Sequence, residues 1–167
     1  MPKHLYLLRH AQSTEKQIGE TDKERELSTH GIRESLLIGT YLHKQKISPD
    51  VIITSAARRA KASADLVGDS LKTDPDKIII NDEFFQASPR TFLDVINQLD
   101  DSFQHVLCVA HNPTITYVAE YLTKAEIGDL APAGLAIIRF NFNSWIDAGE
   151  GKGELVNYIY PAMLIND

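Results

Sequence analysis

Residues 5–11 read LYLLRHA, an apolar run that ends in an arginine and a histidine. The run predicts a buried strand, and Arg9-His10 then places two polar side chains at the carboxyl end of that strand. Similar short runs rich in β-formers recur along the chain. They give six candidate strands: Leu5–Leu8, Val51–Thr54, Ile78–Ile80, Val106–Ala110, Ala136–Phe140 and Leu155–Tyr160.

Helical patterns lie between these candidate strands. Ser28 or Thr29 can cap a first helix, in which one buried face is predicted from apolar or small residues at helical spacing, namely Ile32, Leu36, Gly39 and Leu42. Three more helices are predicted over Ala57–Leu71, Arg90–Leu99 and Thr114–Leu122. The acidic stretch 20–26, which precedes the first helix, is predicted to be a solvated loop near the rim of any site at this edge.

The alternation of strands and helices predicts an α/β fold with a mostly parallel central sheet of about six strands, covered on both faces as a three-layer α/β/α sandwich. After Gly134 two β-runs flank a turn-rich stretch, residues 143–153, which predicts an antiparallel edge hairpin. A length of 167 residues, 43% of them hydrophobic, suits a single domain over residues 1–167.

Composition excludes several classes of function. A net charge of -6 argues against a nucleic-acid partner, which requires a basic surface. Cys108 lies in an apolar run and is expected to be a core residue in a reducing compartment. The N-terminus carries only four consecutive apolar residues, too few for a signal peptide or a membrane span. We therefore expect a cytoplasmic protein without a membrane partner.

Unusual polar residues follow three of the predicted strands. The first strand ends in Arg9-His10, the second leads into Ser55 and the pair Arg58-Arg59, and the fourth ends in His111-Asn112-Pro113. Ligands of open α/β sheets bind beyond the carboxyl ends of the strands, so these side chains are expected to meet in one pocket. By itself, the last of these stretches can also begin a helix, with Asn112 as N-cap.

The chemistry of these side chains suits phosphoryl transfer. A neutral imidazole is a competent nucleophile, and arginine offers phosphate a planar pair of donors that stay charged. Fixed positive donors would stabilise an oxyanion-rich transition state. Neither a metal nor another cofactor is needed for this chemistry, and no metal-ligand spacing is apparent.

The three strand ends together resemble the motifs of the histidine phosphatase superfamily, also called phosphoglycerate mutase-like. The resemblance rests on Arg9-His10, Ser55-x-x-x-Arg59-Ala-x-x-Ser63, Ala110-His111-Asn112-Pro113 and Leu27-Ser28-x-x-Gly31, which follow one another in the expected order. The short chain is most similar to the SixA-type phosphohistidine phosphatases. The resemblance implies that His10 accepts the phosphoryl group and that Arg9, Arg59 and His111 bind it.

Some assignments rest on details of these motifs. Ala56 stands where the family pattern has proline. Counting four residues from Ser55 selects Arg59 as the phosphate ligand, while Arg58 is expected to face solvent. Arg25 occupies a position where SixA-like proteins also carry arginine and could line the mouth of the site. Glu83, shortly after the third strand, is a candidate general acid or simply a residue of the rim.

These observations predict a metal-independent phosphatase that acts on phosphohistidine in a protein, for example a histidine phosphotransfer domain. One alternative is a phosphatase of small phosphoesters such as sugar or nucleotide phosphates, because the phosphate-binding core serves both. A mutase needs an enclosing lid that this short chain hardly provides. The alternative outside catalysis is a silent module that binds phosphorylated partners.

Overall fold

The computed structural model describes residues 2–165. Within that range the chain forms six strands and five α-helices, in the order β1 (Lys3–Arg9), α1 (Thr29–Lys44), β2 (Val51–Thr54), α2 (Arg58–Leu71), β3 (Ile78–Ile80), α3 (Pro89–Asn97), β4 (His105–Ala110), α4 (Thr114–Thr123), β5 (Leu135–Phe140), β6 (Gly153–Ile159) and α5 (Pro161–Leu164). Each predicted strand and helix is present, with ends shifted by at most a few residues. None of the described helices is long and apolar enough to cross a membrane.

The strands form one sheet in the order β3-β2-β4-β1-β5-β6. The pairs β2 with β3, β2 with β4 and β1 with β4 are parallel, whereas β5 is antiparallel to both β1 and β6. The predicted fold class is therefore confirmed, including the antiparallel hairpin at one edge. Arg9 pairs with Ala110 and Thr54 with Val109, so the carboxyl ends of β1, β2 and β4 lie side by side.

Two hydrophobic cores hold the helices against the sheet, because alternate residues of a strand point to opposite faces. Leu5 and Leu7 of β1 pack with α3 and α4, and Tyr6 and Leu8 pack with α1 and α2. Full burial of one such side chain contributes about 1.5–3 kcal/mol. Strand β1 is thus fixed from both sides, directly before the polar residues that follow it.

Helix α1 packs on α2 through only part of the predicted buried face. A Cβ atom on Gly39 would lie only 2.6 Å from the Ser70 side chain, so the two helices approach closely at this point. This contact turns Ile32 and Leu36 outward, and they are 41% and 43% exposed. The prediction that Ile32 and Leu36 belong to the buried face is wrong, whereas Gly39 and Leu42 are buried as expected.

Candidate active site

The residues beyond β1 and β2 surround one solvent-accessible cavity of about 300 Å³, lined by Arg9, His10, Ala11, Gln12, Ser13, Arg25, Arg59 and Pro132. Four of the predicted site residues therefore line the same cavity: Arg9, His10, Arg25 and Arg59. His111, which follows β4, lies beside them, with its ring centroid 5.0 Å from that of His10. Glu83 does not line the cavity.

The ring of His10 is held in one orientation. Its backbone N–H donates to the carbonyl oxygen of Ala110, and its own carbonyl accepts from Ala133. Nδ1 lies 2.8 Å from the carbonyl oxygen of Ala11. Because a carbonyl can only accept, Nδ1 carries the proton, and the lone pair remains on Nε2.

Both histidines are neutral near pH 7. Burial lowers the pKa of His10 to about 3, and the charges of Arg59 and Arg9 and the proximity of His111 act in the same direction. The hydrogen bond to Ala11 opposes this shift but is outweighed. Burial, assisted by Arg59, also lowers the pKa of His111 to about 4. The neutral imidazole is the nucleophilic form of histidine.

Arg59 stands beside Nε2, the unprotonated nitrogen of His10. It lies in the first turn of α2, its side chain is 7% exposed, and its Nε is 3.3 Å from His10 Nε2. Ser63, one turn later, donates to the Arg59 carbonyl and accepts from the Ala11 backbone N–H. The serine thereby ties α2 to the segment that carries His10.

Arg58, the neighbouring arginine, points away from the cavity. Its side chain is 61% exposed, and its ion pair is with Glu26 at 3.5 Å. Consecutive residues of a helix differ by about 100° in direction, so only one of the two arginines can face His10. That residue is Arg59.

Arg9 is fixed by a network behind the cavity. Its Nη1 donates to the Leu130 carbonyl oxygen at 2.7 Å, and Asn112 Nδ2 donates to the same oxygen at 3.1 Å. The Thr116 hydroxyl donates to Asn112 Oδ1 and accepts from the Leu130 backbone N–H. The alternative that Asn112 is the N-cap of α4 is wrong, because Pro113 occupies that position and the Asn112 side chain belongs to this network.

Arg25 reaches the cavity from the loop that precedes α1. Its Nε donates to the Thr14 carbonyl oxygen at 3.0 Å and its Nη2 to Ser13 Oγ at 2.6 Å. Its Nη1 forms an ion pair with Asp22 at 3.0 Å. The guanidinium of Arg25 is therefore held in place by three residues of its own loop.

Asp22 is the residue that the sequence did not single out. It lies in the acidic stretch that was predicted to be a solvated loop, yet its carboxylate also pairs with Arg59 Nη2 at 3.0 Å. Nothing in the spacing of residues 20–26 distinguishes Asp22 from the nearby glutamates. Asp22 lies three residues before Arg25, in a short 3₁₀ turn over Asp22–Glu24. This spacing indicates an ion pair between the two residues only if the segment is known to form that turn.

The exit of β3 contributes an aromatic ring rather than a carboxylate. His111 Nε2 lies 2.7 Å from Ser55 Oγ, and the Phe85 ring meets the His111 ring edge-on at 5.7 Å. Glu83 is exposed, and its side chain makes no hydrogen bond or ion pair with the described residues. The 3₁₀ turn Asp82–Phe84 buries Phe84 and leaves Glu83 toward solvent, so the role of Glu83 as an acid stays a prediction.

Positive charge dominates this site. Three guanidinium groups line the cavity, and one of them, Arg59, shares the Asp22 carboxylate with Arg25. Such an excess of paired donors favours an oxyanion. Among residues 2–165 no group of three or more His, Cys, Asp or Glu side chains is arranged to hold a metal ion.

Comparison with known proteins agrees with this geometry. The family described as "Histidine phosphatase superfamily (branch 1)" matches residues 5–87, which include Arg9, His10, Arg25 and Arg59. An uncharacterized protein of Mycobacterium tuberculosis is 29% identical over 164 residues, which cover 92% of this chain and 99% of the relative. The similarity to this relative therefore extends beyond the matched family segment to most of the chain.

Solved structures share the whole fold. The SixA protein of Agrobacterium tumefaciens superposes with a TM-score of 0.83 at 24% identity, over 96% of this chain and 99% of that chain. The protein histidine phosphatase SixA in complex with tungstate gives 0.77 at 21% identity, over 96% and 99%. A mycobacterial glucosyl-3-phosphoglycerate phosphatase gives 0.65 at 14% identity, over 96% and 99%. Residues 5–87 therefore match the histidine phosphatase superfamily, and the chain as a whole shares its fold with the SixA structures.

Proposed function

We propose that the protein is a phosphohistidine phosphatase that forms a covalent phosphoryl intermediate on His10. One observation carries the proposal. His10 is locked with its proton on Nδ1 by Ala11, while Nε2 stands next to Arg59 in an arginine-lined cavity. A fixed neutral nucleophile beside fixed cationic donors is the arrangement that phosphoryl transfer requires.

In the first step His10 Nε2 attacks phosphorus. The new bond between phosphorus and Nε2 forms as the bond between phosphorus and the substrate nitrogen breaks, and the substrate ring, protonated on its other nitrogen, leaves as neutral imidazole. The His10 ring becomes cationic, which strengthens its Nδ1–H bond to the Ala11 carbonyl. Arg9, Arg59 and His111 bind the phosphoryl oxygens during this transfer.

In the second step water attacks the phosphoryl group. The bond to Nε2 breaks, inorganic phosphate leaves, a proton passes to solvent, and His10 returns to its neutral form. The open cavity admits this water, which favours hydrolysis over a mutase reaction. Neither step calls for a metal.

A groove next to the cavity favours a polypeptide as the carrier of the phosphoryl group. The groove has a volume of about 870 Å³ and lies between α1, Pro132 and α5. Its apolar lining includes Leu36, which the packing of α1 on α2 turns outward. Pro132 lines both the groove and the phosphate cavity, so a chain bound in the groove would lead directly to His10.

The charges around this groove suit an acidic, amphipathic segment. Arg33 and Lys44 line it, and neither side chain has a hydrogen-bond or ion-pair partner in the described part of the molecule. The Glu34 carboxylate is already engaged by the Gln12 backbone N–H and by His30. A phosphorylated domain with an acidic helix, such as a histidine phosphotransfer domain, is the partner that we propose.

A small phosphoester is the second candidate substrate, because the fold is also shared with a glucosyl-3-phosphoglycerate phosphatase. An alkoxide is a poor leaving group, so this reaction requires a positioned acid, which contributes about a hundredfold or more. Glu83, the candidate for that role, lies outside the cavity lining. The phosphohistidine reaction needs no such acid.

The test combines rapid quenching with a substrate panel. Mixing with a labelled phosphohistidine protein should place label on His10 in an acid-labile, base-stable bond, and His10→Ala should carry none. Turnover of the phosphohistidine protein should exceed that of sugar and nucleotide phosphates, be inhibited by vanadate and persist with a chelator. Faster turnover of the esters would favour the second candidate, and binding without any turnover would favour the silent module.

A further inference from the structure

Asp22 joins the loop before α1 to the phosphate-binding arginines. Its backbone carbonyl accepts from Arg59 Nη1 at 2.6 Å, and its Oδ2 accepts from Arg59 Nη2 at 3.0 Å. Its Oδ1 accepts from Arg25 Nη1 at 3.0 Å. One residue thus holds the outer edge of Arg59 by two contacts and Arg25 by a third.

These contacts fix the direction of the Nε–H donor of Arg59. A guanidinium is planar, so two bonds to its terminal nitrogens define its plane and leave Nε–H toward His10 Nε2, 3.3 Å away. Asp22 is also the sole acidic partner of Arg59 within residues 2–165. Arg59 is almost fully buried, and a buried cation needs such a partner to hold its position.

The turn that carries Asp22 is itself braced. The Glu24 carboxylate accepts from the backbone N–H and the hydroxyl of Thr21. Lys23 lies over the Phe85 ring, 5.7 Å from its centroid, and Phe85 in turn contacts His111. The short 3₁₀ turn therefore contacts both sides of the phosphate site.

We propose that Asp22 is a positioning residue for phosphoryl transfer, which orients Arg59 so that its Nε–H meets the phosphoryl oxygens as they arrive at His10. Asp22 acts as a carboxylate rather than as an acid. Burial opposes its ionisation, but the hydrogen bonds from Arg25 and Arg59 outweigh burial and hold its pKa below the ordinary value. This inference rests on the proposed function.

The proposal predicts that substitution of Asp22 lowers kcat without raising KM. Asp22→Ala frees Arg59 and should lower the rate of phosphoryl transfer to His10, and with it kcat, by about tenfold. The variant also removes a negative charge near the cavity, so KM should stay unchanged or fall. A residue needed only for folding would instead reduce the amount of active enzyme and leave the kcat of the folded fraction unchanged.

Glu26→Gln is the matched control, because Glu26 lies in the same loop and pairs with the exposed Arg58. It should leave kcat within about twofold of wild type. Asp22→Asn keeps the shape and the backbone acceptor and should fall between wild type and Asp22→Ala. In an Arg59→Lys background Asp22→Ala should cost less than about threefold, because the two residues act as one unit.

The experiment measures single-turnover labelling of His10 and steady-state constants with a phosphohistidine protein, and thermal unfolding of each variant. Wild type that forms no phosphoenzyme would refute the proposed function itself. Active wild type with Asp22→Ala and Glu26→Gln equally active would refute the role of Asp22 alone. Equal losses from Asp22→Ala in the wild-type and Arg59→Lys backgrounds would also refute it, because Asp22 would then not act through Arg59.

Discussion

At the scale of single residues, the direction of a few donors decides which nitrogen of His10 keeps its lone pair and which arginine faces it. Ala11 selects the proton position of His10, and Arg59 rather than Arg58 presents a charge to the free nitrogen. Both effects depend on side chains whose orientation is fixed by neighbouring backbone. The role of each arginine can be tested by substitution.

The two adjacent arginines should differ sharply in function. Arg59→Lys keeps the charge but loses the planar guanidinium whose Nε–H lies beside His10 Nε2, so kcat should fall by on the order of a hundredfold. Arg58→Lys, whose side chain is mostly exposed, should stay within about threefold of wild type. Steady-state kinetics with a phosphohistidine protein would measure both, and the reverse order would show that Arg58 contacts the phosphoryl group.

The histidines should resist protonation. With pKa values lowered to about 3 for His10 and about 4 for His111, nitrogen NMR should find both rings neutral at about pH 5, where ordinary histidines are charged. In the unfolded chain their pKa is about 6.5, so the folded state binds fewer protons below that pH. Their contribution to stability is therefore complete above about pH 6.5 and is lost as pH falls toward the folded values.

A variant that lacks both imidazole rings separates the pH-dependent contribution of His10 and His111 to stability from that of the other titrating groups. The double variant His10→Asn, His111→Asn should lose less free energy of unfolding than wild type between about pH 7 and pH 5. Denaturant titration at each pH measures the difference. A His10 ring that titrates near its ordinary pKa would contradict the buried, neutral nucleophile.

At the scale of elements, the start of α1 supports the segment that follows His10. The Gln12 carbonyl accepts from the Ser28 backbone N–H, and the Gln12 N–H donates to Glu34 Oε1. This close approach requires Gly31, because a Cβ atom there would collide with the Gln12 carbonyl oxygen. The close contact with Gln12 therefore explains why the Leu27-Ser28-x-x-Gly31 motif ends in glycine.

Gly31→Ala should therefore disturb both stability and activity. The added methyl group should push Gln12 away and lower the free energy of unfolding by about 1–3 kcal/mol. Because this also moves Ala11, the acceptor for His10 Nδ1–H, activity should fall by at least about tenfold. Gly149→Ala is the control, because nothing lies within 4 Å of its added Cβ. Denaturant unfolding measures the stability of both variants, and steady-state kinetics measure their activity. If Gly31→Ala were as stable and as active as Gly149→Ala, a clash between residue 31 and Gln12 would be excluded.

At the scale of the whole molecule, the groove between α1 and α5 adjoins the phosphate cavity, and both together define the substrate that we propose. Burial of apolar area at the centre of an interface contributes much of its affinity. Among the described residues, Pro132 alone lines both the groove and the cavity beside His10, so a small substrate held at His10 would have little contact with the groove. A substitution in the groove should therefore separate polypeptide from small substrates.

Leu36→Glu places a charge in the apolar lining and should lower kcat/KM for a phosphohistidine protein by about tenfold, mainly through KM. Turnover of a small phosphoramidate should remain within about twofold of wild type. Ile146→Glu, at an exposed apolar residue outside the groove, is the control and should change neither. Equal losses on both substrates would show that Leu36 acts on folding or on the phosphate cavity instead.

The sequence alone predicts six strands, a mostly parallel sheet with an antiparallel edge hairpin, and a common pocket for Arg9, His10, Arg59 and His111. Strand and helix patterns are local, and the carboxyl ends of adjacent parallel strands meet wherever the chain folds in this way. Tertiary structure alone decided the outward turn of Leu36, the exposure of Glu83 and the contact of Asp22 with Arg59. These depend on how α1 packs on α2 and how a short turn bends back over the site, and such long-range contacts leave no periodic trace in the residues that make them.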